Sequence, residues 1–125
     1  MDSKVIFKDF NKIYFDFLDF IKEHNKTSKY SLFYNKNYMV KKTNPKLIII
    51  LWNQRMAYPY YDKIRNGDVS FFLESSFAEI DNPEVQGHIY YFKELYHLMS
   101  QEHRYEFVKY VQELTESCHM YFTSK

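Results

Sequence analysis

The chain has 125 residues, 46% hydrophobic and 26% charged, with a net charge of +1. That length fits one domain that buries roughly two-thirds of the surface its unfolded chain exposes, so folding needs no disulfide or metal staple. The small net charge excludes a whole-molecule attraction to nucleic acid or membrane.

Tyr (13) and Phe (12) dominate the apolar set, while Gly (2) and Pro (3) are scarce. Few turn-forming residues argue against an all-β fold and suit long helices. Cys118 has no second cysteine to pair with, which points to a reducing compartment or a virion interior. The amphipathic N-terminal segment is broken by Lys8, Asp9 and Lys12 and has no uninterrupted apolar run, so no signal peptide is read. Leu47–Trp52, the longest apolar run, is too short to cross a bilayer. An intracellular protein without membrane contact is expected.

In chain order, Val5 to His24 reads as a helix. Ile6, Phe10, Ile13, Phe17 and Ile21 recur at spacings of three and four, with Asp9, Lys12, Asp16, Asp19 and Lys22 opposite. Asn25 to Thr43 reads as a long polar connection, with a short hairpin over 29–40 around Asn35-Lys36-Asn37. Asn44-Pro45 is a helix-start signal, Asn as cap and Pro in the first position. The helix that follows, Pro45–Tyr58, is expected to be buried and central, although three successive Ile also suit a strand.

Pro59 breaks that helix or begins the next, and Gly67 ends a helix over Tyr60–Asn66. Asp68 can cap a short helix through Phe71, Phe72 and Leu73. Asn82-Pro83 starts a helix along Val85, Ile89, Phe92, Tyr96 and Met99. Ser100 caps the last one, whose stripe is Phe107, Val108, Val111, Leu114, Cys118 and Phe122. The expected fold is all-α: one domain over 1–125, an irregular bundle of four to six helices.

Chemistry-bearing patterns are sparse. Glu94…His97 and Glu116…His119 have the Glu-x-x-His spacing of di-metal bundles. Helical geometry turns Glu94 roughly 170° and Glu116 roughly 150° from their apolar stripes, so both should face water. No metal site or cofactor is expected. Gly-rich phosphate loops, G-x-S-x-G, C-x-x-C and H-E-x-x-H motifs are absent, and Cys118 lies on an apolar stripe. The chain is read as non-enzymatic.

Two surfaces remain as partner candidates. Tyr58, Tyr60 and Tyr61 surround Pro59, and Tyr90 and Tyr91 lie off their helix stripe. Tyrosine offers large area with a polar tip, which suits a protein partner or a homo-oligomer. The alternative is nucleic acid on residues 26–46, where Lys29, Lys36, Lys41, Lys42 and Lys46 alternate with Tyr34 and Tyr38 and no acid occurs. Lysines neutralise phosphates and rings stack on bases, but the segment lacks Arg.

The run Asn44-Pro45-Lys46-Leu47-Ile48, with Trp52, Pro59-Tyr60-Tyr61-Asp62-Lys63-Ile64, Gly67-Asp68 and Phe71-Phe72, resembles small uncharacterised helical proteins of large cytoplasmic DNA viruses. The resemblance covers about a quarter of the chain and is one of style, shared with the Lys/Asn/Tyr/Phe/Ile-rich proteins of AT-rich genomes. It implies a viral source and a role in the virion or toward a host partner.

Overall fold

A computed structural model describes residues 2–24, 28–68 and 93–123, and for 24 and 28–34 the backbone alone. All regular structure among these residues is helical. The elements are α1 (Ser3–His24), α2 (Ser28–Thr43), α3 (Leu47–Trp52), a π-helical turn (Asn53–Ala57), α4 (Tyr58–Arg65) and α5 (Gln101–Thr123). Residues 93–98 are also helical. The expected short helix at Phe71–Leu73 and the Asn82-Pro83 start lie outside the described residues.

Helix α1 begins where Asp2 caps it, its Oδ1 accepting from the Lys4 amide at 2.9 Å. Its stripe of Ile6, Phe10, Phe17, Leu18 and Ile21 is buried. Helix α5 opens on Ser100, whose Oγ accepts from the His103 amide at 3.2 Å. Phe107, Val111, Leu114 and Cys118 form its buried side. The two helices pack antiparallel. Phe7 meets Tyr121 at one end, and Phe17 lies against Phe107 and Tyr110 near the other. This pairing of the first and last described helices is the main wall of the core.

The hairpin expected over 29–40 does not form; the segment is helix α2. A tight hairpin turn favours φ > 0 residues, and Asn35-Lys36-Asn37 has no Gly to supply them cheaply. Asn37 is buried instead, and its Oδ1 accepts from the Tyr14 hydroxyl of α1 at 2.8 Å. The segment has no strong apolar stripe of its own, and it is tied to α1 through this bond and packs against α3. Asn37→Ala strands the buried Tyr14 hydroxyl, and a loss of about 1–3 kcal/mol is expected in urea titrations.

The expected helix Pro45–Tyr58 is present with three corrections. It starts at Leu47 after a turn in which the Asn44 carbonyl, not its side chain, accepts from the Leu47 amide at 3.0 Å. Its α-helical phase stops at Trp52, and a π turn carries the chain to Tyr58. Ile48 and Ile49 are buried, but Ile50 is exposed, so the helix is central on one side only. It packs against α1, α2 and α5.

Pro59 explains the π turn. It has no N–H to donate, and in an α-helix its ring would meet the carbonyl four residues back. Widening the preceding turn, so that the Tyr58 amide donates to Asn53, relieves that conflict. Tyr60 then leaves helical geometry (φ −131°, ψ 21°), and the chain bends. Helix α4 ends in a Schellman cap: Gly67 at φ 78°, its amide on the Ile64 carbonyl and the Asp68 amide on that of Lys63.

Candidate functional site

The π turn and kink wrap one continuous helical run around α5. The Trp52 indole N–H donates to Thr115 Oγ1 at 3.0 Å, and the Tyr61 hydroxyl donates to Glu116 at 2.7 Å. Nine residues of straight helix would advance about 13.5 Å. Here side chains nine residues apart reach adjacent positions of α5, Thr115 and Glu116. Gln112 Nε2 donates to the Ile64 and Arg65 carbonyls at 3.1 and 3.3 Å, and the Cys118 thiol donates to the Ile49 carbonyl at 3.5 Å. A ladder of side chains on α5 thus holds both arms of the bend.

The sequence-predicted tyrosines separate on this frame. The Tyr61 ring stacks on His119 with centroids 4.2 Å apart, and its hydroxyl is held by Glu116. That hydrogen bond pushes the Tyr61 phenol above its ordinary range. Tyr60 is half-buried and packed on the core. Tyr58 is 86% exposed, on the outside of the bend between buried Ala57 and exposed Pro59. Tyr90 and Tyr91 lie outside the described residues. Sequence reasoning missed that Glu116 and His119, three apart on one helix face, form the seat of Tyr61.

Glu94 and His97 are exposed, and among the described residues no three His, Cys, Asp or Glu side chains are placed to share a metal ion. Cys118 is fully buried, and burial pushes its thiol up to about 12, far from a reactive thiolate.

The lysines proposed for nucleic acid sit on α2 and the turn after it. Lys36, Tyr38, Lys41, Lys42 and Lys46 are exposed; of Lys29 and Tyr34 only the backbone is described. The Lys41 ammonium lies 4.8 Å above the Phe15 ring, and that of Lys42 lies 4.9 Å above Tyr38. Lys36 and Lys42 are six residues apart, roughly 120° round the helix, so the lysines do not line one stripe.

A second feature lies between α1 and α5. An open groove of about 340 Å³ is lined by Asp16, Glu106, Lys109, Tyr110 and Glu113. Burial raises the Tyr110 phenol, and the carboxylates of Asp16, Glu113, Glu106 and Glu23 raise it further. No described helix is long and apolar enough to cross a membrane. Comparison with protein-family models, curated proteins and solved structures finds no match to this chain.

Proposed function

We propose that this protein is a non-enzymatic interaction module that engages a protein partner through the bend at Tyr58–Pro59. The observation that carries the reading is Tyr58 itself, an aromatic ring 86% exposed on a rigid support. An exposed ring gains little in water, and burying it against a partner adds a large contact at low entropic cost because the side chain has few rotamers. The support is rigid because Trp52, Tyr61 and Ile64 on either side are tied to α5. A π turn at this point fits the recurrence of such turns at functional sites. Tyr60 and Tyr61 contribute as the frame of the bend and not as free anchors. On the viral resemblance, the partner is another copy within a virion or a host protein.

A photo-crosslinking amino acid placed at position 58, with one at exposed Lys63 as control, tests this in the producing cell. The expected result is one discrete adduct from position 58 and none from 63. Equal labelling from both positions, or none from either, would sink the assignment.

A further inference from the structure

We propose that the outward face of α2 docks on a second copy of this chain, in the groove that α1 and α5 form in that copy. The first half of the contact is basic and part apolar. Tyr38 and Met39 are 40% and 57% exposed. Lys42 lies over the Tyr38 ring, and Lys46 stands exposed in the turn that follows. No Asp or Glu occurs between positions 28 and 46 to offset this charge.

The second half is the groove with Asp16, Glu106, Glu113 and the Tyr110 ring. Lys12 pairs with Asp16 at 3.0 Å, and Lys109, whose ammonium sits 4.9 Å above Tyr105, is outnumbered in the lining by Glu106 and Glu113. The groove therefore presents a surplus of carboxylate with an aromatic floor. That complements lysines flanked by Tyr and Met. Its volume admits side chains and not a whole helix, so α2 would lie across its rim.

Within one molecule the two halves lie on different sides of α1. Asn37 bonds Tyr14, which places α2 on that side of α1. Asp16 is two residues on, roughly 200° round the helix, and Asp9 and Glu23 share its face at seven-residue intervals. The surfaces face away from each other across α1. Contact between copies is then head-to-tail, joining unlike patches, and it extends into a ring or a filament instead of stopping at a two-fold dimer. This surface does not include Tyr58, so it and the preceding proposal stand or fall separately.

Light scattering over a concentration series tests it. At roughly 0.02 M salt the weight-average mass is expected to climb steadily with concentration, and at roughly 0.5 M to return to that of the monomer. Two charge-reversed proteins sharpen the test: Lys42→Glu with Lys46→Glu, and Glu106→Lys with Glu113→Lys. All four positions are exposed, so circular dichroism should show the helices intact. Each variant alone should lose roughly tenfold or more in association constant. Mixed together they should recover it, because each pairing again joins opposite charges.

Wild-type protein that stays monomeric at low salt overturns the proposal, as does association indifferent to the reversals or mixing that restores nothing. Nucleic acid that copurifies with the wild type and is lost with Lys42→Glu and Lys46→Glu would assign the α2 face to phosphate and equally overturn it.

Discussion

Phe17→Ala is expected to cost about 3–5 kcal/mol in urea titrations, the upper range for an aromatic ring removed from a core. Phe17 is 1% exposed and stands at the seam of α1 and α5. Its ring meets Phe107 edge-on with centroids 5.1 Å apart and Tyr110 at 5.4 Å. Truncation forfeits the burial, leaves a cavity between two long helices that cannot both move in, and loses ring pairs worth about 0.5–1.5 kcal/mol each. Whole domains of this kind are stable by only about 5–15 kcal/mol, so the variant forfeits a large fraction of the total. Val5→Ala, on the same helix at an exposed site, should change stability by less than about 0.5 kcal/mol. A Phe17→Ala loss below about 1 kcal/mol would show that the α1–α5 seam is not the core.

Stability is also expected to fall as pH rises above about 9. Cys118 and Tyr14 are buried among apolar groups, and burial pushes the thiol from 9.0 up to about 12 and the phenol well above its usual 10.0. The folded chain keeps these protons where the unfolded chain releases them. Above the unfolded values the unfolded state therefore binds fewer protons, and the balance tips toward it. The contribution of Cys118 is complete below pH 9 and is lost progressively between pH 9 and about 12. Tyr14 adds a similar loss beginning near pH 10. Each group contributes a slope of about 1.4 kcal/mol per pH unit within its window. Urea midpoints between pH 7 and 11 measure the slope. Cys118→Ser and Tyr14→Phe should flatten it even where they lower stability at pH 7. A flat wild-type profile would contradict the burial of both groups.

What the sequence conveyed depended on how strongly each segment announces its buried side. In α1 and α5 the apolar residues recur every three to four positions, and Ser100 was readable as a cap. In 28–43 Lys, Asn and Tyr follow one another with no stripe, so local pattern favoured a connection. The contacts that accompany the helix there lie outside the segment, Asn37 with Tyr14 and the packing against α3. Pro59 was legible as an interruption. That the chain would absorb it by widening one turn and bending around α5 depends on Thr115, Glu116 and Gln112, all more than fifty residues further along. The same long-range contacts sorted the tyrosines. Tyr58 and Tyr61 look alike in sequence, yet only Tyr61 finds a carboxylate and an imidazole within reach.

The pairing of α1 with α5 also sets the order of events during synthesis. Phe10, Phe17, Leu18 and Ile21 leave the ribosome about a hundred residues before the side chains that cover them, a delay of roughly 5–20 s at ordinary elongation rates. Through that interval the nascent chain carries a bare aromatic stripe. Contacts so distant along the chain also slow the search for the native state, because a long loop must close before they form. The core therefore waits for α5, and until that helix emerges the chain depends on chaperones to cover the stripe.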